Sequence, residues 1–457
     1  MAGKSIDVVE VIDRGPMTAF QITLVAWLCC LMTVEGFDMQ AMAYTAPAIL
    51  KQWGVSRAVF GPVLSASLFG YMVGAFALGA AADRLGRKTV LLIGLATFGL
   101  FTLAAPTAHD LTSLMALRFL AGLGLGAAVP TGLSLNAEYV PLKVRATTIG
   151  LMYVAYNVGA AGGGFVAGAA IPVWGWPSVF YIGGVAPLVL GVLMLAFLPE
   201  SVRFLLLTGK KPQEAVRILG RLRPDAGITD VSQLTVAAEE KRKASPASLF
   251  TDRRAGMTLL LWGATISSFM AHHFLTNWLP TVMTDAGLSL AQAAVVGGMF
   301  PLGGAIGSFV VGAAMDRRGL AMVALAFLLG APLVITLGLA PASAVLLGAL
   351  AFLAGFLVLG GQLGLNASSA TLYPTFMRST GAGWSLGIGR VGSIAGPIVG
   401  GILISTGISR PLLFCIAATP LVLCAALVLA LGARVRRQSG APGSAAAALD
   451  PAAQAVR

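Results

Sequence analysis

Gly79-Ala80-Ala81-Ala82-Asp83-Arg84-Leu85-Gly86-Arg87-Lys88 and Gly312-Ala313-Ala314-Met315-Asp316-Arg317-Arg318-Gly319 are two versions of one segment, 233 positions apart. Each is a short polar turn between long apolar stretches. The register continues beyond them. Pro141, Arg145, Thr147 and Gly150 return as Pro374, Arg378, Thr380 and Gly383 at the same spacing. One offset held over about seventy positions marks an internal duplication.

The 457 residues are 57% hydrophobic and 11% charged. A soluble domain carries about 25% charged residues, so this chain is too poor in polar side chains to cover itself in water. Twelve stretches have the roughly 20 apolar residues that a helix needs to cross hydrocarbon. They run at about 19–50, 58–82, 88–108, 111–135, 146–171, 177–198, 256–280, 291–315, 320–341, 343–368, 381–405 and 410–432. They are too long for barrel strands and show no alternation, so they read as helices. The expected fold class is an all-α membrane protein of twelve transmembrane helices in two pseudo-symmetric six-helix halves. Residues 1–198 form the first half, 199–254 a polar linker, 255–433 the second half and 434–457 a disordered Ala-rich tail. Paired halves with a site near the bilayer midplane are a transporter plan.

The formal charge of +12 raises nucleic acid as a partner, and its distribution argues against one. All but five of the 30 Lys and Arg fall on the side of the termini and linker. Lys51, Arg57 and Arg410 fall in the opposite loops, and Arg118 and Arg390 within spans. This positive-inside bias places both termini in the cytoplasm and turns the basic surplus toward anionic lipid. No cleavable signal peptide is visible before residue 19. Cys29, Cys30, Cys415 and Cys424 form no metal or redox motif and read as packing residues. No metal site, cofactor or enzymatic constellation is expected. The 57 glycines crowd single helices, for example Gly122, Gly124 and Gly126. Small residues let membrane helices approach closely, and Gly-x-Gly-x-Gly without a preceding strand is not a nucleotide site.

Charges inside a membrane cost about 2.5–3.5 kcal/mol each on insertion scales, so they face a cavity or a partner. Glu35 and Asp38 sit three apart on the first helix, on one face. Two carboxylates in a low-dielectric site resist double ionisation. Such a pair can load and release a proton, or can salt-bridge Arg118 on the fourth helix. Arg390 lies midway along the eleventh helix. Its counterpart at the 233 offset is Asn157, so this charge breaks the internal symmetry, as a substrate ligand would.

The segment Gly79 to Lys88 resembles the loop signature between the second and third helices of the major facilitator superfamily. Arg118-Phe-Leu-Ala-Gly122-Leu-Gly124-Leu-Gly126, ending at Pro130, resembles its fourth-helix motif. A narrower resemblance is to aromatic acid:proton symporters. It rests on Ile12-Asp13-Arg14-Gly15-Pro16-Met17-Thr18-Ala19-Phe20-Gln21, on Glu35-Gly36-Phe37-Asp38, on Thr276-Asn277-Trp278-Leu279-Pro280, and on Tyr373 to Gly381. The first-helix signature of that family usually begins with Asp, and here it begins with Glu35, one methylene longer.

The resemblance implies a proton-coupled importer of aromatic carboxylates such as benzoate or 4-hydroxybenzoate, in a bacterial inner membrane, working as a monomer with protons and lipid as its other partners. Proton coupling would fall to Asp38, Glu35 and Arg118. A guanidinium grips a carboxylate through two parallel hydrogen bonds, so Arg390 is the expected carboxylate ligand. Tyr153, Asn157, His272, Asn277, Trp278, Gln362 and Asn366 are candidate pocket walls, with Trp278 equally readable as an interface anchor. His272 and His273 diverge by about 100° around their helix, so only one is expected to face a cavity. The resemblance also implies a cytoplasmic gate, for which the candidates are Asp83, Arg84, Arg87, Glu138, Arg145, Asp316 and Arg378; Glu138 reads equally as a gate partner for Arg145 and as a solvated acid at the interface. The rival readings are a carrier of another organic solute (sugar, organic ion or drug) and a non-transporting membrane sensor.

Overall fold

Short polar residues at the ends of apolar runs start the helices, and glycines end several of them. The computed structural model describes residues 6–209, 211–223, 228, 230–235, 246–251, 254–374 and 377–439. The expected disordered tail beyond residue 439 and the basic run at 241–243 lie outside the described residues. A short helix α1 (Val8–Asp13) precedes six long ones: α2 (Ala19–Trp53), α3 (Arg57–Leu85), α4 (Arg87–Ala104), α5 (Leu111–Tyr139), α6 (Leu142–Trp174) and α7 (Pro177–Phe197). Two short helices, α8 (Val202–Thr208) and α9 (Pro212–Leu222), follow in the linker. Then come α10 (Ala255–Asp285), α11 (Leu290–Arg318), α12 (Leu320–Leu339), α13 (Ala344–Thr371), α14 (Arg378–Ser405) and α15 (Arg410–Ser439).

Thr18 and Gln21 satisfy each other's backbone N–H groups at the start of α2, and Asp110 with Ser113 and Ser289 with Gln292 do the same for α5 and α11. Such reciprocal caps supply partners for donors that a helix leaves free at its first turn. Gly54, at φ 65°, closes α2 in the left-handed conformation that glycine adopts without a steric cost. A two-residue parallel pair, β1 (Ile6–Asp7) with β2 (Leu234–Thr235), ties the start of the chain to the linker.

Eleven of the twelve long helices are apolar enough by composition to cross a membrane. The exception, α10, is 31 residues long and carries His272, His273 and Asn277 in its middle. Its length suits a span, and its polar residues are buried against other helices rather than turned to lipid: His273 is 8% exposed and Asn277 5%.

The duplication is visible in the packing. In the first half, Gly70 of α3 and Gly122 of α5 face each other across a backbone contact. A Cβ on Gly70 would stand 2.0 Å from the Phe119 carbonyl oxygen, and one on Gly122 would stand 2.1 Å from that of Ser67. The positions 233 further on are Gly303 of α11 and Gly355 of α13. There a Cβ would stand 1.9 Å from the Phe352 oxygen and 1.8 Å from the Phe300 oxygen. Gly159 of α6 (1.9 Å from Thr33 O) and Gly392 of α14 (2.2 Å from Ile266 O) repeat the same relation. Without a hydrophobic drive between helices in lipid, such backbone approach supplies dispersion contact.

The halves meet through α3 with α14, α6 with α11, and α2 with α10. They meet tightly at the end of the bundle away from the termini. There Arg57 pairs with Asp285 at 2.5 Å, and Ser65 Oγ donates to Ile394 O at 2.9 Å. Gly164 of α6 lies against Ala294 and Gly298 of α11, and Gly401 of α14 against Arg57. Toward the end that carries the termini the same faces separate. Gly150 and Gly312 lie about four turns from Gly164 and Gly298 on those helix faces, and a Cβ on either would meet nothing within 4 Å. Gly79 and Gly383, about five turns from Gly61 and Gly401, are equally open. The bundle is a V, closed at the distal end and open at the terminal end.

Filling one of the tight glycine contacts should therefore cost stability. Gly355→Ala is expected to destabilise by about 1–3 kcal/mol, the usual cost of overpacking. Gly383→Ala should be neutral or slightly stabilising, since the open site gains helix propensity. Thermal unfolding in detergent compares them, and equal melting temperatures would contradict the packing described.

Candidate functional site

Four helices of the first half converge on one buried ion pair. Arg118 of α5 grips Asp38 of α2 through two hydrogen bonds, Nη2 to Oδ2 at 2.7 Å and Nη1 to Oδ1 at 2.9 Å. Thr102 of α4 donates to Asp38 Oδ1 at 2.9 Å. Phe180 of α7 offers its ring face to the guanidinium, 5.6 Å from centroid to Cζ. Arg118 is 1% exposed and Asp38 0%. Parallel charge-assisted bonds of this kind are among the strongest polar contacts available. Of the two first-helix acids, it is thus Asp38 that pairs with Arg118.

Glu35, one turn earlier, turns to the cleft between the halves. It is 5% exposed and its Oε2 has no hydrogen-bond partner. Its electrostatic neighbours are Arg390 of α14, then Asp38, with Tyr71 of α3 and Tyr153 and Tyr156 of α6 around it. Within their shared side of α2, Glu35 and Asp38 have different partners. They stand only about 60° apart around the helix, and their side chains part there, Asp38 into the first half's core and Glu35 toward the cleft.

Arg390 is half-buried, with its Cζ 4.4 Å from the centroid of Tyr71. That is a cation–π contact across the two halves. Among the described residues its guanidinium makes no hydrogen bond. It stands midway along α14, opposite Glu35 midway along α2.

The other pocket candidates divide. Tyr153 borders Glu35 and Arg390, and Asn157, one turn further along α6, shares its face and is half-buried. His272 meets Gln362 of α13, and both His272 Nδ1 and Gln362 Oε1 lack hydrogen-bond partners. Asn366 follows Gln362 by one turn and is half-buried. Asn277 is turned back to its own helix, its Nδ2 donating to His273 O at 2.8 Å. Trp278 lies away from this group. It is 0% exposed, its Nε1 donates to Pro397 O at 2.8 Å, and it packs on Gly400 and Gly401. Its ring joins α10 to α14 and is neither a pocket wall nor a membrane-interface anchor. The two histidines also depart from expectation. Their rings lie 4.5 Å apart and both border one small cavity. The His273 ring is bent back by Nδ1, which lies 2.9 Å from Phe269 O, so the two side chains converge although their Cα–Cβ bonds diverge.

At the terminal end of the first half, Arg87 bridges Asp83 at 2.8 Å and Glu138 at 3.1 Å. Glu138 also accepts from Ser201, and Glu200 accepts from the Lys88 backbone N–H at 3.1 Å. Arg145, expected beside Glu138, pairs instead with Asp13 of α1 and donates to Val140 O. Arg87 already occupies Glu138, and α1 brings a fresh carboxylate to Arg145. Arg84 is exposed. In the second half Arg378 donates to Tyr373 O at 3.3 Å, and the side chain of Asp316 lies outside the described residues. Sequence reasoning missed Asp13, Thr102, Tyr71, Tyr156, Phe180 and the Arg57–Asp285 pair. Thr102 shares its apolar run with Thr97, so its hydroxyl alone did not mark it. Among the described residues no group of three or more His, Cys, Asp or Glu side chains forms a metal site.

A buried arginine pair in one half, a free arginine in the other and a cleft between duplicated halves define a solute carrier. The model of the Major Facilitator Superfamily matches residues 28–385 and 261–457, and the chain belongs to that superfamily, a family of transporters and not of enzymes. Within it the chain is 40% identical over 437 residues to the gallate transporter of Pseudomonas putida, covering 94% of this chain and 96% of that one. It is 40% identical to the 4-hydroxybenzoate transporter PcaK of Acinetobacter baylyi, with 88% of each chain covered. It is 32% identical to the benzoate transport protein of the same organism, over 88% of this chain and 87% of the other. Among solved structures, a bacterial homologue of the human lysosomal transporter Spinster superposes with a TM-score of 0.69 at 16% identity, covering 92% of this chain and 98% of that one. The xylose transporter XylE of Escherichia coli superposes with a TM-score of 0.68 at 16% identity, covering 90% and 98%. These two share the fold.

The ion pair generates a stability prediction. Asp38→Leu alone strands a buried guanidinium and should cost about 3–5 kcal/mol. Adding Arg118→Met removes the stranded charge, and the double variant should recover most of the loss. Unfolding in mild detergent measures both. A double variant less stable than Asp38→Leu would mean that the two side chains do not act as a pair.

Proposed function

We propose that this chain imports aromatic carboxylates together with protons across a bacterial inner membrane. The observation that carries the reading is Arg390, a guanidinium at the middle of the cleft with an aromatic ring beneath it and no hydrogen-bond partner. The printed substrates of the relatives, gallate, 4-hydroxybenzoate and benzoate, share a carboxylate on an aromatic ring. That chemistry fits a cationic fork for the carboxylate and Tyr71, Tyr153, Tyr156 and His272 beside the ring. Gln362, Asn157 and Asn366 are the groups that would reach ring substituents.

Glu35 is the group placed to carry the proton. It faces the same cleft as Arg390, whereas Asp38 is engaged with Arg118 and Thr102. An anion entering a cell works against an inside-negative potential, about 2.3 kcal/mol per charge for each 100 mV. A proton carried with it cancels that charge and adds the pH gradient as drive. Loading would take place with the distal end open, and release with the terminal end open, the arrangement described above. The Asp83, Arg87, Glu138 and Arg145 contacts would be rearranged when the terminal end closes. The concentration of Lys and Arg at the terminal end supports a cytoplasmic placement of both termini.

If Arg390 holds the carboxylate, geometry matters as well as charge. Arg390→Lys keeps the charge and loses the planar fork. A charge-assisted hydrogen bond is worth about 1.5–3 kcal/mol, so the variant should bind 4-hydroxybenzoate at least about tenfold more weakly. The methyl ester of the same ligand should be nearly indifferent to the change. Titration calorimetry on purified protein decides it, and equal losses for acid and ester would sink the assignment.

A further inference from the structure

Beside the Asp38–Arg118 pair lies a space of about 10 Å³, bordered by Gln40 of α2, Ser67 of α3, Arg118 of α5 and His272 and Thr276 of α10. Four of these residues carry a buried polar atom without a hydrogen-bond partner: Gln40 Oε1, Arg118 Nε, His272 Nδ1, whose side chain also meets Gln362, and Thr276 Oγ1. Gln40 is 4% exposed and Arg118 1%. Buried polar groups in folded proteins are almost always satisfied, so four such atoms around one space call for a common occupant. Its chemistry is restricted. Arg118 Nε only donates and Gln40 Oε1 only accepts, so the occupant must do both. The Asp38–Arg118 pair beside it is already charge-balanced, so an ion of either sign would leave an unpaired buried charge. An aromatic acid is far too large. A water needs about one probe sphere of space and two to four polar partners, and both conditions are met.

We infer that this space is a binding site for one ordered water that joins the ion pair of the first half to α10 of the second. The water accepts from Arg118 Nε, donates to Gln40 Oε1 and completes its shell on Thr276 and His272. The walls come from both halves, so the site exists only while α2 and α10 lie together, with the distal end closed. Opening the distal end dismantles it and exposes Arg118 Nε to solvent. The water therefore acts as a latch that ties distal closure to the Asp38–Arg118 pair. The Arg57–Asp285 pair is the direct contact at the rim, and this is its counterpart at depth. The inference does not depend on which solute is carried.

The test reads the distal end directly. Spin labels at Ser56→Cys and Ala342→Cys, in a background lacking Cys29, Cys30, Cys415 and Cys424, report its opening by electron–electron distance measurement. Gln40→Leu and Thr276→Val each remove one partner without changing side-chain size much. Each should raise the distal-open population about fivefold, the worth of one net hydrogen bond. Because both act through the same water, the double variant should open no more than about twofold beyond either single one. Thr276→Ser keeps the hydroxyl and should match the parent, which separates the latch from mere packing. Unchanged distance distributions in the single variants would overturn the inference. So would single effects that multiply in the double variant, or a Thr276→Ser variant as open as Thr276→Val.

Discussion

A carboxylate and a guanidinium placed in hydrocarbon have to find each other, and the first half of this protein is organised around that requirement. Asp38 and Arg118 are sealed from solvent, with Thr102 on the carboxylate and Phe180 on the guanidinium. The pair thus gathers α2, α4, α5 and α7 at one depth. Replacing a buried pair by apolar side chains need not destabilise a fold, so stability alone does not explain its presence. Its position does more. By holding Asp38 inward, it sets the rotation of α2 that delivers Glu35 to the cleft.

Symmetry in the scaffold and asymmetry in the chemistry divide the duplicated chain. The glycine contacts are repeated nearly atom for atom, Gly70 and Gly122 as Gly303 and Gly355. The charges are not. The positions 233 beyond Asp38 and Arg118 are Ala271 and Ala351, and the position 233 before Arg390 is Asn157. Two similar shells can rock against each other, while a fixed pair in one and a cleft-facing cation in the other make the two walls of the cleft chemically different. The polar belt of α10 adds the inter-half groups, which is why this helix is the least lipid-like of the twelve.

The scaffold was legible in the sequence because its signals are local. Length of apolar run, caps, glycine spacing and the 233-residue offset each report on neighbouring residues or on a repeat. Much of the site was not, because it depends on rotations and partners that no local pattern encodes. Glu35 and Asp38 are three positions apart and share one side of α2, as sequence spacing put them; what the spacing could not give is the partner of each, Arg118 for Asp38 and the cleft with Arg390 for Glu35. Arg57 and Asp285 look like ordinary loop charges 228 positions apart, and only the closed distal end makes them a pair. Trp278 sits in a motif with Asn277, yet its buried N–H needed a carbonyl, and Pro397 on α14 supplied it. Arg145 met Asp13 for a similar reason: α1 folds back over the terminal end, which the spacing of 132 residues could not announce. Arg390 and Arg118 were legible as special because a charge in a span is expensive wherever it lies.

Coupling between an aromatic anion and a proton across one cleft is the central proposal. Uptake of radiolabelled 4-hydroxybenzoate into right-side-out membrane vesicles, acid outside, tests it most directly. The expected result is accumulation above the external concentration that collapses with a protonophore, and loss of that accumulation in Glu35→Gln with exchange of labelled for unlabelled ligand retained. Uptake that only equilibrates, or that ignores the protonophore, would contradict it.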